Sequence, residues 1–504
     1  MRRTLGWCLA GFIGFLSLGE EILWVRLVTF VYQGIPQSFA FVLGAFLLGV
    51  AAGAAAGKRF CLKWPATPAR AAGLCLVAGG GLGLAIPYLA ESLSELEPLP
   101  LWLGGLIFLA SALKATAFPV AHHLASDVAG ARVGRSISVV YFLNIAGSTL
   151  GALVAGYVLL EHFSLGGCFV LLGTATLAVG VLALLPPNPR LVPLVLGVAG
   201  VVALSVDLHD HRIVSAFGSH GFRKIKAIVE NRHGILHVAD GGSKGDITYG
   251  GNVYDGRSNI DLGVNSNRID RVYLLAALHP QPKRVLVIGL STGAWVRVLS
   301  SFPTVERMDV VELNPGYLSL IERYPHLAPV LTDPRITIHI DDGRRWLRRN
   351  PDETFDLIVM NTTFHWRANL TNLLSQEFLG MARTHLREGG VLAFNATGSP
   401  DALATASAVF PFAYRWSNFV YAADHDLARI ASDAVARMVR LSLDGKPLFD
   451  LGRAADRELL ERLVNTPFVR RDDVEVEAGR PLEVITDANM LTEFRYGKPL
   501  WWFR

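Results

Sequence analysis

The first 206 residues of this chain are almost continuously apolar, and no other feature constrains its fold as much. A helix needs ~20 mainly apolar residues to cross a bilayer, where only bonds within the segment satisfy its backbone. Seven segments reach or approach that length, at approximately 5–32, 37–57, 71–92, 100–121, 137–160, 165–186 and 190–206. The first starts like a signal peptide, with Arg2 and Arg3 before an apolar run. It continues through EEILWVRLVTFVY without a small-residue cleavage site, so it reads as a retained span. Gly49, Gly53 and Gly57 in the second segment, and Gly147 and Gly151 in the fifth, recur every four residues. That spacing lets helix backbones approach closely in lipid, and predicts a packed α-helical membrane bundle.

The basic residues Arg2 and Arg3, then Lys58, Arg59, Lys63 and Arg70, then Arg132 and Arg135, fall at alternate ends of these segments. Glu91, Glu95 and Glu97 fall opposite. The bias toward basic cytoplasmic loops puts the N-terminus in the cytoplasm, and seven crossings would put the remainder outside. Glu20, Glu21, Arg26 and Lys114 lie within segments, where a charge is costly and pairs or lines a cavity. An internal pair of Glu20 or Glu21 with Arg26 or Lys114 is the favoured reading over a polar ligand cavity.

The composition, 51% hydrophobic and 18% charged, averages two unlike halves. The net charge of +4 is scattered, which argues against a nucleic-acid partner. The four cysteines (Cys8, Cys61, Cys75 and Cys168) all lie in the apolar half without the spacing of a zinc site, and no metal is expected. Residues 207–281 read as short strands with glycine turns, a β-rich lead-in. From Pro282 to the end, strand-like and helix-like stretches alternate: RVLVIGL, MDVVELN, ITIHIDD, FDLIVMN and GGVLAFN are the strands. Alternation of this kind predicts a Rossmann-like α/β domain, a parallel sheet with helices on both faces. The predicted domains are thus 1–206, 207–281 and 282–504.

In such a sheet, ligands sit beyond the carboxyl ends of the strands. Gly289 and Gly293 flank the first strand-to-helix turn, where a missing Cβ lets a ligand approach the backbone. Glu312 ends the second strand, and its carboxylate can take both ribose hydroxyls. Asp341 and Asp342 end the third, placed to accept from an adenine amino group. The phosphates of a dinucleotide want a fuller G-x-G-x-x-G, absent here, so a methyltransferase-type nucleoside site fits better than NAD.

Residues of about 230 to 400 resemble the spermidine synthase family, the polyamine aminopropyltransferases. The whole chain, apart from the last sixty or so residues, is similar to the bacterial branch in which that domain follows a membrane bundle. VLVIGLSTGAW stands where the family has its GGGDGG turn, VVELNPGY where it has the ribose glutamate, and IDDGRRWL where it has the adenine motif. NLLSQEFLGMARTHLREGGVLAFN matches the family's helix and following strand, and LGEEILWVRLV resembles the first span of fused members. VYDGRSNID resembles L-D-G-x-x-Q, which puts Asn259 at the polyamine-side glutamine. Tyr273 and His279 match the Y…H helix, which gives Tyr273 a catalytic place. The resemblance implies transfer of an aminopropyl group from decarboxylated S-adenosylmethionine to an amine, with a carboxylate holding the amine and taking its proton. It also implies a homo-oligomer, expected as a dimer.

The departures fall on the acceptor side. The D-x-x-D-P motif is here Asn361-Thr362-Thr363-Phe364-His365, the turn has lost its aspartate, and the acidic pair after the glutamine is Gly263, Val264 and Asn265. Asn361 can orient an acceptor but cannot take a proton. His365 is the nearest base, Trp366 offers a face to a cation or ring, and Arg367 favours an acidic acceptor. The expectation is a membrane-bound transferase using S-adenosylmethionine or its decarboxylated form on a small amine or amphiphilic acceptor. The alternatives are a methyltransferase on the same scaffold and a non-catalytic nucleoside sensor on a transporter-like bundle. Since such donors are made in the cytosol, the catalytic domain is expected on the cytoplasmic face of an inner membrane, with the short seventh segment interfacial.

Overall fold

The computed structural model describes residues 2–126, 133–185, 190–362 and 364–500; Arg132 of the third basic cluster and Thr363 lie outside these. The chain separates into two compact units. One comprises residues 1–219 with 228–235 and 499–504; the other comprises 220–227 and 236–498.

The first unit is helical: α1 (Arg2–Val31), α2 (Gln37–Lys63), α3 (Pro68–Ser94), α4 (Leu99–Ala115) and α5 (Ala117–Ala125). Then α6 (Val133–Val154) runs through a π turn into α7 (Leu160–His162), before α8 (Leu165–Leu184), α9 (Leu191–Leu204) and α10 (Arg212–Phe217). Among the described residues, six helical runs are long and apolar enough to cross a membrane: Arg3–Val31, Gln37–Lys63, Pro68–Ser94, Leu99–Ala125, Ile137–His162 and Leu165–Leu184. The seventh expected segment forms the 14-residue α9.

The glycine ladders do what their spacing implies. A Cβ on Gly53 would lie 2.1 Å from the Ala112 carbonyl oxygen, and one on Gly151 would lie 2.1 Å from that of Phe15. Backbones of α2 and α4, and of α1 and α6, therefore touch where no other residue fits. Inside the bundle, Lys114 Nζ lies 2.6 Å from Glu20 Oε2, and Trp24 Nε1 donates to the other oxygen at 3.2 Å. Arg26 instead donates to the backbone carbonyls of Asn231 and Arg232.

The two ends of this unit differ in charge. Lys58, Arg59, Lys63, Arg70 and Arg190 mark one end; Glu91, Glu95, Glu97 and Glu161 mark the other. At the acidic end the Leu208 carbonyl accepts from Ser164 N at 3.1 Å, and Glu230 accepts from Leu165 N at 2.8 Å. There too the Arg212 guanidinium stacks 4.8 Å over the Tyr88 ring. The chain thus enters α9 at the basic end and leaves it at the acidic end, and residues 207–219 pack with the helices.

The lead-in is a sheet of four strands in chain order, β1 (Ile225–Asn231), β2 (Gly234–Ala239), β3 (Ile247–Gly250) and β4 (Val253–Arg257). The larger sheet of the second unit comprises β5 (Arg284–Ile288), β6 (Arg307–Glu312), β7 (Ile336–Ile340), β8 (Phe355–Met360), β9 (Leu386–Asn395), β10 (Phe412–Trp416) and β11 (Phe419–Ala423). Their order is β10-β11-β9-β8-β5-β6-β7; β5 to β9 pair in parallel and the last two strands antiparallel. Every residue of β8 is buried, as a central parallel strand covered on both faces requires. The sheet core joins Leu286, Ile288, Ile358, Met360, Leu392 and Phe394. The order reverses between β5 and β8, which brings Gly289 and Asn361 side by side where a ligand crevice opens.

Candidate active site

The turn after β5 is built for contact between strands. Gly289 has φ +92°, and a Cβ there would lie 2.6 Å from the Asn361 carbonyl oxygen. Asn361 N in turn donates to the Ile288 carbonyl at 2.8 Å. The residue after β8 thus already requires glycine here, a reason separate from the expected approach of a ligand. Gly293, at φ +75°, is likewise faced by the Ile321 side chain, 3.0 Å from a Cβ position.

Glu312, at the end of β6, fastens this turn. Its Oε2 accepts from Leu290 N at 2.8 Å and its Oε1 from Asn314 N at 2.8 Å. Burial pushes its carboxyl up to about 7, against the pull of those N–H donors. Oε2 also receives the Ser291 N–H at 3.5 Å. Asp341 accepts from Asp342 N at 2.8 Å and pairs with Arg345 and, at 3.4 Å, Arg349. Asp342 caps the helix Gly343–Arg349 through Arg345 N at 2.8 Å. Both aspartates thus have structural employment at the strand end where the sequence places an adenine.

Beside the turn lies a cavity of about 820 Å³, lined by Ser291, Thr292, Trp295 and Asn361 among others. Its walls also carry Asp255 and Arg257 from β4, Arg268 from the following loop, Arg271 from the short helix Asp270–Tyr273, and Asn395 and Asn418. Arg271 is 6% exposed and lies between the Trp295 and Phe419 rings, at 5.0 and 4.8 Å. Burial pulls its guanidinium down to about 10. Asp255 accepts from the Tyr317 hydroxyl at 2.6 Å, and burial raises its carboxyl above the usual range. Arg367 is set by Gly251 and stands in the field of Tyr317 and Asp255.

Of the residues expected on the acceptor side, Asn361 lines the cavity with its motif neighbours Thr362 and Phe364, and His365, Trp366, Arg367, Tyr273 and Asn259 are not among the lining residues. His365 Nδ1 is 2.9 Å from the Thr397 carbonyl, and the ring also meets the Tyr496 backbone, so it ties loops together. Burial lowers its imidazole below the ordinary value, so the neutral ring is favoured. Trp366 is buried, stacks on Phe364 and carries the Lys498 ammonium 4.2 Å over its ring. Tyr273 is buried and donates to the Ile260 carbonyl at 3.0 Å. Asn259 accepts from Asp261 N at 3.1 Å. The sequence reading missed Asp255, Tyr317 and Arg271; the first two stood in the quoted stretches VYDGRSNID and VVELNPGY, and their meeting was the unread signal.

A seven-stranded sheet with this order, a glycine turn and a buried carboxylate at the next strand end make a Rossmann-like α/β domain of the methyltransferase type. Residues 272–402 match the family described as "Spermine/spermidine synthase domain", and residues 4–310 match "Major Facilitator Superfamily". The chain belongs to the Major Facilitator Superfamily by a match that covers more than half of it, and its C-terminal region carries a spermine/spermidine synthase domain. The polyamine aminopropyltransferase of Streptococcus pneumoniae serotype 4 is 35% identical over 130 residues, 26% of this chain and 44% of that protein. That of Agathobacter rectalis is 37% identical over 125 residues, 25% of this chain and 43% of that one. The chain spans less than half the length of the curated relatives it matches. A crystal structure of spermidine synthase in complex with the transition state analogue AdoDATO aligns with TM-score 0.41 at 19% identity, covering 51% of this chain and 88% of that one. Human methyltransferase-like protein 13 in complex with SAH aligns with TM-score 0.28 at 21% identity, covering 39% of this chain and 91% of that one.

Proposed function

We propose that the protein is a membrane-attached transferase that moves an alkyl group from an adenosyl sulfonium donor, S-adenosylmethionine or its decarboxylated form, to an acceptor other than putrescine. The observation that carries this reading is Glu312 beneath the glycine turn, beside a cavity in which the family's carboxylate position is Asn361. In the reaction, the acceptor's nucleophile bonds to the carbon next to sulfur. The C–S bond breaks, its electron pair neutralises the sulfonium, and a neutral thioether leaves. The nucleophile's proton passes to a carboxylate, and Asp255 is the one in the cavity wall. Calorimetry with 5′-methylthioadenosine tests the donor half: the native protein binds it and Glu312→Ala does not, since two ribose hydroxyls lose a charged acceptor. Equal affinity removes the nucleoside reading.

For the side of the membrane, the cytosolic origin of the donor favours the cytoplasm. The helical unit supports the opposite face, because α9 carries the chain from the basic end to the acidic end. At about 1.5 Å per residue its 14 residues span about 21 Å, and the flanking turns complete the crossing. We adopt seven crossings. A donor that meets the domain on that face has itself crossed the bilayer.

A further inference from the structure

The cavity has the wrong charge for a polycation. Arg257, Arg268 and Arg271 line it, and among the described residues their guanidinium hydrogen bonds all go to neutral oxygens, while Asp270 accepts from the Arg271 backbone N–H and lends its field to that guanidinium. Arg257 donates to the Gly245 carbonyl at 3.0 Å and Arg268 to the Ser417 hydroxyl at 2.6 Å. Arg271 donates to the Arg268 and Asn267 carbonyls at 2.7 and 3.2 Å and to the Asn418 amide oxygen at 2.8 Å. A guanidinium taken out of water needs its charge answered, and aromatic faces with neutral oxygens answer it only in part. The carboxylate in the same wall, Asp255, is engaged by Tyr317.

We infer that this cavity is a carboxylate-binding site, with the arginine forks taking an anionic group in the planar geometry that suits them. The inference rests on the transferase reading for its purpose and deepens it by naming the class of ligand. The carboxylate has two possible owners: an acidic acceptor, or the methionine tail of an S-adenosylmethionine donor. A diamine brought among three guanidinium groups meets repulsion instead.

Calorimetry on the full-length protein in detergent decides this with four probes: glutarate, putrescine, S-adenosylhomocysteine and 5′-methylthioadenosine. The variant is Arg257→Gln/Arg268→Gln, at one exposed and one partly exposed position. If the acceptor owns the anion, glutarate binds at least about tenfold more tightly than putrescine and loses about tenfold in the variant, the size of one charge-assisted hydrogen bond. If the donor tail owns it, S-adenosylhomocysteine outbinds 5′-methylthioadenosine by a similar factor, and the variant removes that advantage. Either result supports a carboxylate site. Putrescine matching or exceeding glutarate, with the two nucleosides equal, overturns it, as does an anion preference the variant leaves untouched. Glutarate binding without either nucleoside keeps the site and removes the donor reading; 5′-methylthioadenosine binding without any anion preference does the reverse.

Discussion

The Tyr317 hydroxyl donates to Asp255 Oδ2 at 2.6 Å, joining the helix after β6 to strand β4 across 62 residues of chain. The contact puts a carboxylate into the cavity wall that Asn361 shares. Asp255→Asn should therefore slow release of the adenosyl thioether by about 10²–10⁴-fold, the usual worth of a positioned base, with thioether affinity within a few-fold of native. Tyr317→Phe removes a bond that favours the ionised form, so Asp255 becomes harder to ionise and the acid limb of the pH–rate profile moves to higher pH. An unmoved limb would count against Asp255 as the base.

Glu312 supplies a pH dependence of its own. Its carboxyl sits at about 7 in the fold against 4.5 ordinarily, because burial disfavours the charge. The folded state thus binds its proton more tightly than the unfolded one, so the stability it contributes is complete below pH 4.5 and is lost as pH rises through about 7. Ribose binding follows the opposite course, since the ionised form is the stronger acceptor. Affinity for 5′-methylthioadenosine should rise through pH 7 in the native protein and stay flat in Glu312→Gln. Identical profiles would show that Glu312 only fastens the turn.

The sheet was legible from the sequence because parallel strands buried on both faces must be apolar throughout, as FDLIVM is. The place of Glu312 at a strand end was legible from VVEL, but its bonds to Leu290 N and Asn314 N, which fasten the turn, were not. The reason for Gly289 was not, since it depends on β8 lying next to β5, and local pattern carries no strand order. Nor were the burial of Arg271 between two rings or the bonding of His365 to two backbone segments, both made by residues distant in the chain. The α9 segment was seen but left interfacial; its course follows from contacts of Leu208 and Glu230 that no hydropathy pattern contains.

Lys114 and Glu20 hold the helical unit by a buried pair at 2.6 Å. Lys114→Ala leaves Glu20 uncompensated and should cost about 3–5 kcal/mol, read as a lowered Tm in detergent. The double change Lys114→Met/Glu20→Met removes both charges and should recover most of the loss. A single variant as stable as native would mean that water reaches the pair.

The course of α9 is open to a labelling test. In a variant lacking Cys8, Cys61, Cys75 and Cys168, a single cysteine replacing the exposed Phe222 should react with a membrane-impermeant maleimide added to intact spheroplasts. A cysteine replacing Arg59 should react only after lysis. Reaction of both only after lysis would return the chain to the cytoplasmic side and make α9 interfacial.

The central claim is that the nucleoside half of the family's site persists while its polyamine half has changed purpose. A putrescine assay with decarboxylated S-adenosylmethionine, run beside the Streptococcus pneumoniae relative, tests it most directly. With the amide of Asn361 and three arginines in the cavity wall, the native protein should bind 5′-methylthioadenosine yet form little or no spermidine, and Asn361→Asp should restore little. Spermidine formation at a rate comparable to the relative's would contradict the account and make this an ordinary aminopropyltransferase on a membrane.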